Sequence, residues 1–256
     1  KLSLVNDTTL QNQFLDEDTG LTTAQIDRTQ RSVRLAGNYL FTEATWVEAS
    51  ASYTRQGYDN GERYGLRDYD YLTPSLRLIH QYTPQTQVFG VLSHSRVEYD
   101  VAAPQQLESK TNSLQLGAAY DITERWKVSG SIGSRRTTSS AVTVQTIVIP
   151  FFGPISQLVS SEDESTGLVY DASLTRELET GSVSLTASQS VTPSPIGRDT
   201  ESTRISLNGT HDISAKLSAA LAVSFYRTTS VGDTTTVADT DRYRITPSLT
   251  WRLDEN

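Results

Sequence analysis

The chain has 256 residues and a formal net charge of −8, from 22 Lys and Arg against 30 Asp and Glu. The acidic balance and the absence of basic clusters argue against a nucleic-acid-binding protein, and the lack of cysteine excludes disulfide bonds and thiolate metal sites. No apolar run approaches the roughly 18 residues of a membrane helix. Hydrophobic residues make up 36% of the chain, which is low for a packed interior but typical of a barrel with lipid outside and water inside.

Segments that alternate apolar and polar residues recur along the chain, and this period of two predicts β-strands. The first segment, residues 1–11, alternates weakly, and the polar stretch 13–30 with its acidic run at 16–18 predicts an exposed loop. The sharper strands that follow are predicted over residues 33–41, 47–54, 69–82, 87–101, 114–122, 126–132, 168–174, 183–191, 204–213, 217–226 and 242–253.

The clearest pattern lies in residues 200–229, where two alternating runs are joined by a short polar turn. Ile205 and Leu207 fall on one face of the first run, and Ser206 and Asn208 fall on the other. Each run is about twelve residues long, which exceeds the usual globular strand of about five or six residues and matches a tilted strand that crosses a bilayer. This stretch predicts an antiparallel hairpin with one apolar and one polar face.

The predicted connections alternate between short turns and loops of about nine residues or more. Outer-membrane barrels have short periplasmic turns, long extracellular loops and an even number of strands. We therefore predict an all-β fold, an antiparallel up-and-down transmembrane β-barrel of about twelve strands that is complete or part of a larger barrel. It forms one domain over residues 1–256 in the outer membrane of a Gram-negative bacterium. A soluble all-β protein is the alternative.

Aromatic residues cluster near both ends of the predicted strands, as the interfacial girdles of a membrane barrel require. The girdle beside the short turns is predicted to contain Phe41, Trp46, Tyr82, Tyr120, Trp126 and Trp251. The second band, toward the long loops, contains Tyr53, Tyr58, Tyr69, Tyr99, Phe225 and Tyr243.

Charged residues on the polar faces are candidates for lining a water-filled lumen, where arginines attract anions and mixed charges create a field across the channel. The predicted lumen-lining residues are Glu48, Arg77, His94, Arg96, Glu98, Arg135, Asp171, Glu177, Arg204, Asp212, Arg244 and Arg252. The alternative is a solvated surface whose opposite charges pair across neighbouring strands.

The segment 140–164 is unusual because two β-rich runs flank an apolar tip. The tip residues Pro150, Phe151, Phe152 and Pro154 are candidates for contact with a partner protein, since exposed apolar patches mark contacts. A hairpin that plugs the lumen and a loop that packs on its own barrel rim are the alternatives.

Nothing in the sequence predicts an enzyme, a cofactor or a metal site. The histidines are His80, His94 and His211, and no pair of them has ligand spacing. No nucleophile motif accompanies His211 and its neighbouring serines. The acidic loops lack the ordered spacing of a calcium loop, so solvated loops are favoured over divalent bridges to lipopolysaccharide.

Two segments resemble a known family: residues 183–229, with TPSP after a Ser/Thr-rich strand, and residues 243–256, with the ending TPSLTWRLDEN. They are similar to the outer-membrane β-barrel porins found in exopolysaccharide and exosortase (PEP-CTERM) gene clusters. The resemblance covers the last third of the chain well and the rest only by pattern. It implies a channel for exopolysaccharide export in contact with the bilayer and lipopolysaccharide, with small solutes or polysaccharide in the lumen.

Two functions remain open from the sequence. The leading hypothesis is a passive outer-membrane channel with a polar lumen and no cofactor. The other is a structural barrel that anchors or sheaths a partner protein, such as an extracellular or periplasmic electron carrier. A channel would conduct ions in planar bilayers, whereas an occupied sheath would be silent until its partner is removed.

Overall fold

The computed structural model describes residues 2–15, 22–149, 153–194, 196–231 and 240–252. They form one antiparallel sheet of twelve strands, in which every strand pairs with its neighbours in sequence. The strands are β1 (Leu2–Leu15), β2 (Thr22–Thr42), β3 (Thr45–Tyr58), β4 (Tyr69–Thr83), β5 (Thr86–Tyr99), β6 (Gln106–Thr123), β7 (Trp126–Ile149), β8 (Gly153–Leu178), β9 (Gly181–Ser194), β10 (Arg198–Asp212), β11 (Leu217–Ser230) and β12 (Thr240–Trp251). In the described residues, the helical content is one 3-10 turn at Gly61–Tyr64, and no helix is long and apolar enough to cross a membrane.

Five short connections lie at one end of the sheet, as the sequence predicts, and they cover residues 42–45, 83–86, 123–126, 178–181 and 212–217. The opposite end does not carry only long loops: Ile149 and Gly153 of β7–β8, and Ser194 and Arg198 of β9–β10, are separated by three residues each. Thr42, Thr83 and Thr123 begin three of the five turns, and each Oγ1 accepts the backbone N–H two residues later at 3.3 Å. A hydroxyl bonded to its own turn favours this local fold. The predicted up-and-down antiparallel fold of about twelve strands is confirmed.

The two faces of the sheet differ in the way a membrane barrel requires. Leu207 pairs with Leu185 and Val223, and its side chain is 43% exposed. The neighbouring Ser206 pairs with Thr186 and Ser224 and is only 2% exposed. Apolar side chains therefore point outward and small polar ones point inward, which is the reverse of a soluble sandwich. We call these the outward face and the inner face.

The inner face is held together by hydroxyl pairs between adjacent strands. The paired oxygens lie 2.8 Å apart in Ser50–Ser75, 2.6 Å in Ser93–Ser113, 2.7 Å in Ser129–Ser173 and 2.9 Å in Thr111–Thr137. Among the described residues, buried polar side chains outnumber buried apolar ones. The interior is therefore polar, with its hydrogen-bonding groups paired across the strands.

The sheet curls, because inner-face residues of β2–β4 and of β9–β11 line one cavity between them. In the described part of the chain, no hydrogen-bonded ladder joins β1 to β12. Pro74 interrupts the ladder between β4 and β5, which resumes in the same register at Ser75. A proline has no N–H to donate to that ladder, although Pro247 on β12 pairs with Leu221 without a break in the β11–β12 register.

The predicted loop at 13–30 is wrong for residues 13–15, which belong to β1, and for residues 22–30, which belong to β2 and pair with β1 and β3. The acidic run at 16–18 lies outside the described residues. The strands are also longer than predicted toward the long-loop end. The extensions of β2 and β6 are largely polar on both faces, so the period of two that marks a half-buried strand is absent from their sequence, whereas residues 141–149 of β7 are rich in Val and Ile.

The β7–β8 hairpin continues the ladder without interruption from Trp126–Arg176 to Ile149–Gly153. Residues 143–147 and 154–158 are mostly exposed on both faces of this ribbon. The hairpin is therefore a free-standing extension of the wall. Its predicted contact residue Pro154 is exposed, whereas Pro150, Phe151 and Phe152 lie outside the described residues.

Candidate functional site: the inner face of the sheet

The β9–β10 hairpin separates from β8 toward its tip. Pairing between β8 and β9 ends at Tyr170–Gln189, but pairing between β9 and β10 continues to Ser194–Arg198. The distal part of β9 thus lacks its β8 neighbour, whereas β10 stays paired with β11 as far as Thr200–Ser230. We call residues 189–203 the inward hairpin, with Pro195 outside the described residues.

The inward hairpin folds into the curled sheet and contacts the inner faces of β6 and β7. The Asp199 carboxylate accepts a short hydrogen bond from the Ser109 hydroxyl, and Glu201 forms an ion pair with Arg135. The Gln189 amide also donates to Glu201. Asp199 and Glu201 alternate with the inner-face residues of β10, so their contacts with inner-face residues of β6 and β7 require the hairpin to lie inside.

Arg135 is the central anchor of this contact. Its residue is only 4% exposed, and its Nη1 donates to Thr137 Oγ1 at 3.3 Å. Its partner across the β7–β8 ladder is Gly167, where a Cβ would lie 2.8 Å from the guanidinium carbon and one of its nitrogens. The glycine therefore leaves the space that the arginine needs to reach Glu201.

The tip of the inward hairpin is fitted to its surroundings. Gly197 has φ +80°, and a Cβ there would lie 2.8 Å from Leu107 Cδ2. Tyr99 makes a hydrogen bond with the backbone of Ser194, and its ring lies 5.8 Å from that of Tyr69. Contacts with β5, β6 and β7 therefore hold the hairpin across the interior from its base to its tip.

A polar cavity of about 340 Å³ lies between the inward hairpin and the opposite wall; we call it the central cavity. It is lined by Arg28, Gln30, Thr54, Gln56, Tyr69, Tyr71, Ser188, Ser190, Thr192, Pro193, Ser202, Arg204 and Tyr226. Among the described residues, this lining holds two arginines and no carboxylate. Gln56 is 1% exposed, and its Nε2 has no hydrogen-bond partner in the described part of the chain.

A larger cavity of about 730 Å³ lies at the long-loop end. Its lining includes Ile196 from the tip of the inward hairpin, together with residues of the β3–β4 and β5–β6 connections. Charges of both signs are present there, including Arg67, Asp68 and Asp100. The hairpin tip therefore meets the long connections at the mouth, while its sides border the central cavity.

Most of the predicted lumen-lining residues lie on the inner face. Glu48 is the ladder partner of Arg77, and the Arg77 guanidinium lies 4.0 Å from the centre of the inner-face Phe89 ring. The inner face also carries Arg135, Asp171, Glu177, Arg204, Asp212 and Arg244. Arg252 follows β12 at the short-turn end, where its backbone N–H donates to the Lys216 carbonyl at 2.8 Å. Their action on a permeating solute stays a prediction.

The prediction is wrong for His94, Arg96 and Glu98, which lie on the outward face. They continue the alternation of Leu92 on β5 and pair with β6 residues on the face of Leu114. Their polarity favours the lumen, but the period of two along β5 determines which face of the sheet they occupy. These residues lie beyond the apolar part of the strand, toward the long loops. A charged residue above the lipid region faces the polar headgroup layer.

The outward charges beyond the apolar part pair with one another. Arg96 forms ion pairs with Glu108 and with Glu98, the second at 2.5 Å. Arg136 on β7 pairs with Glu164 on β8 at 2.6 Å. Charge pairing across neighbouring strands, the alternative left open by the sequence, therefore occurs on this face.

Five of the six predicted girdle residues lie on the outward face near the short turns. Phe41, Tyr82, Tyr120 and Trp251 are exposed, and Trp126 lies 5.0 Å from the guanidinium of Arg176. The prediction is wrong for Trp46, which pairs with Leu40 and the buried Ile79 on the inner face. Its Nε1 donates to Glu48 Oε1 at 3.2 Å. The position of Trp46 near a turn favours the girdle. However, Val47 and Ala49 occupy the outward positions of β3, so Trp46 points inward.

Sequence reasoning did not find the inward hairpin. The signal available was a pair of acids, Asp199 and Glu201, at positions that continue the apolar face of Ile205 and Leu207. Buried acids need partners, and the partners lie on strands 90 and 66 residues away in sequence. In the described residues, no three His, Cys, Asp or Glu side chains lie close enough together to hold a metal.

No protein-family model matches the chain, and no curated protein sequence does either. Solved structures resemble it in fold. The ferric-catecholate import receptor Fiu from E. coli K12, in its closed form, has 10% identity and a TM-score of 0.56 over 90% of this chain and 45% of that chain. The ferric yersiniabactin uptake receptor FyuA from Yersinia pestis has 13% identity and a TM-score of 0.53 over 90% of this chain and 40% of that chain.

The chain thus spans less than half the length of these receptors, and at this identity the likeness concerns the fold alone. The structural neighbours are outer-membrane β-barrel proteins. Together with the exposed apolar face, this confirms the predicted fold and its place in the bacterial outer membrane. The resemblance to porins of exopolysaccharide gene clusters stays a prediction.

Proposed function

We propose that the chain forms a porin-like outer-membrane channel whose lumen is narrowed by the inward hairpin. The observation that carries the proposal is the polar inner face, crossed by a hairpin that leaves a polar cavity at its side. Because the apolar residues face outward into lipid, the polar inner face would surround water when the strands cross a membrane. The mechanism is diffusion of small polar solutes past the hairpin, with no cofactor.

The resemblance found in the sequence supports a finer proposal, export of an exopolysaccharide. The hydroxyl and amide groups of the inner face suit a hydroxyl-rich polymer, because they can exchange hydrogen bonds with it along the path. A cavity of about 340 Å³ is narrow for a polymer in transit. Export therefore requires the inward hairpin to move away from β6 and β7 together with β11, to which β10 stays paired. The contacts of the hairpin with β6 and β7 would then be the gate.

The experiment is single-channel recording in planar bilayers with a hairpin that can be locked. Because the chain has no cysteine, Ser109→Cys with Asp199→Cys supplies the only two thiols. Discrete conductance steps are expected, and they should be at least twofold larger after reduction than after oxidation of the pair. The single variant Ser109→Cys is the control and should not respond to redox conditions. Absence of steps under both conditions contradicts the channel.

The second function, a barrel that sheaths a partner, is supported by the free-standing β7–β8 hairpin. Exposure of Ile147, Ile155 and Leu158 on that ribbon leaves apolar surface for a protein contact. A sheath predicts silent bilayers until the partner is stripped away. Conductance by the purified chain alone therefore separates the two functions.

A further inference from the structure

We propose that one edge of the β7–β8 hairpin is a docking site for a partner protein, which adds an extended basic segment to it as a further strand. The site is the side of residues 153–164 that faces away from β7, and we call it the β8 edge. The inference goes beyond the proposed channel, because it concerns a surface outside the lumen and does not depend on conduction.

The β8 edge lacks a neighbouring strand. β8 pairs with β7 from Arg176 to Gly153, whereas its pairing with β9 stops at Tyr170. In the part of the chain that the structure describes, no strand pairs with residues 153–169 on the side away from β7. Alternate residues of an antiparallel strand direct their N–H and C=O groups to the same side, so this edge presents a row of hydrogen-bonding groups to an added strand.

Return of the inward hairpin to the sheet would not cover this edge. If the β8–β9 register continued past Tyr170–Gln189, the last residue of β9, Ser194, would reach only Ser165. The described residues of β9 therefore leave 153–164 unpaired in either position of the hairpin. A strand that covers the β8 edge has to come from elsewhere.

The β8 edge lies in water at the long-loop end of the sheet. Leu168 ends the apolar run on the outward face of β8, and Thr166, Glu164 and Glu162 follow it on that face. Residues 160–164 are exposed on both faces of the ribbon. The long loops of outer-membrane barrels are extracellular, so a partner outside the cell reaches this edge without entering the lipid.

The β8 edge is long and carries little of the protection that exposed strand edges usually have. At about 3.3 Å per residue, it extends on the order of 35 Å. The β7–β8 ladder runs along it without a bulge, and Pro154 at the tip is its one proline. Residues 137–169 contain no lysine or arginine. Edges without proline, lysine or a bulge accept further strands, and main-chain hydrogen bonds then provide the affinity.

Charge defines the partner. Glu162, Asp163 and Glu164 are consecutive, so their side chains project to both faces of the ribbon. Arg136 on β7 forms an ion pair with Glu164 at 2.6 Å, whereas Glu162 and Asp163 form no ion pair within the described ranges. Lysine or arginine on an added strand would pair with these acids across the new ladder on both faces.

The end of the β8 edge near the hairpin tip is apolar. Ile155 and Leu158 lie on opposite faces, where they pair with Ile147 and Val144, and each is more than half exposed. Apolar β-branched residues on an added strand pack against such positions. The segment that fits is therefore apolar at one end and basic at the other.

A second copy of this chain fits the β8 edge less well. Because residues 137–169 contain no lysine or arginine, a second β8 edge offers no cation to the acidic run in any register. In registers that bring the two acidic runs together, like charges on neighbouring strands are destabilising. The acids therefore act against self-pairing and favour a partner of opposite charge.

The test uses the detergent-solubilised full chain and the synthetic peptide Lys-Arg-Lys-Thr-Thr-Val-Val-Thr-Thr-Ile, which is designed to run antiparallel to residues 155–164. Fluorescence anisotropy measures binding, and amide hydrogen exchange locates it. We expect a complex in which exchange slows in residues 153–164 and is unchanged in the β3–β4 connection, residues 59–68. Two further peptides carry N-methyl groups on alternate residues, along one edge or along the other. One of them should bind about tenfold more weakly than the parent, because its N–H groups no longer reach β8.

Two double variants test the charge. Glu162→Gln with Asp163→Asn should weaken binding by about fivefold, because two cross-strand charge pairs are lost. Asp59→Asn with Glu62→Gln is the matched control, since these acids are also exposed at the long-loop end but lie on the β3–β4 connection. It should leave the affinity unchanged.

Four results would overturn the site: no binding, equal binding of the parent and both N-methylated peptides, equal weakening by the two double variants, or a dimer of the native chain in which exchange of residues 153–164 is already slow. The last result would assign the edge to a second copy. A chain that conducts in bilayers but binds no peptide loses the site and keeps the channel, whereas a chain that binds the peptide and never conducts keeps the site and loses the channel.

Discussion

Glu201 on β10 forms an ion pair with Arg135 on β7, although β8 and β9 separate these strands in the sheet. In a flat or evenly curved wall the two side chains could not meet, because Glu201 continues the outward alternation of β10 while Arg135 points inward. They meet because the end of the β9–β10 hairpin has turned inside. The Glu201–Arg135 ion pair therefore holds the inward hairpin across the interior of the curled sheet.

Breaking that pair should release the inward hairpin. Glu201→Gln removes the charge that Arg135 faces in a buried setting, where loss of one partner costs about 3–5 kcal/mol. We expect higher single-channel conductance and faster proteolysis near Ile196, with the strand ladders intact. The control is Glu179→Gln, which breaks the exposed pair with Arg125 and should leave both readouts unchanged. Unchanged conductance in Glu201→Gln would contradict the gating role.

A methyl group at Gly167 should loosen the same anchor without changing any charge. Its Cβ would lie 2.8 Å from the Arg135 guanidinium, so the arginine must shift away from Glu201. We expect Gly167→Ala to lower the thermal transition of the detergent-solubilised protein and to raise its conductance. Gly90→Ala, whose added Cβ would meet its nearest neighbour at 3.5 Å, is the matched variant. Equal behaviour of the two variants would mean that the space beside Arg135 is not needed.

A charge on the lipid face should be far more costly than the same charge one residue away. Leu207→Arg places a guanidinium in the acyl region, where the cost is about 2–4 kcal/mol near the bilayer centre. Asn208→Arg places it on the exposed part of the inner face and should change stability little. Urea unfolding of protein in liposomes measures the difference. Equal losses would place both faces in the same environment.

The tryptophans should report two different surroundings. Trp46 lies on the inner face, whereas Trp251 lies outward and is largely exposed. In single-tryptophan variants, we expect aqueous iodide to quench Trp46 more than Trp251, and brominated lipid to quench Trp251 alone. Quenching of Trp46 by brominated lipid would contradict its inner-face position and place it in the aromatic girdle.

The sequence predicted the strands that cross lipid because their two faces differ, as Leu207 and Ser206 do. It fails where both faces meet water, because the polar extension of β2 has the composition of a loop and the polarity of Arg96 does not show which face it occupies. The inward hairpin could not be predicted from the sequence for another reason. The curl of the whole sheet determines which residues Asp199 and Glu201 contact. Because those partners are distant in sequence, no local pattern predicts them.

The central claim, a polar interior behind an apolar outer face, is tested most directly by a scan of single cysteines along β10. The native chain has no thiol to interfere. We predict that a membrane-impermeant maleimide labels the variants at Arg204 and Asn208 in reconstituted protein and leaves those at Ile205 and Leu207 unlabelled. Labelling at Ile205 and Leu207, with protection at Arg204 and Asn208, would contradict the account.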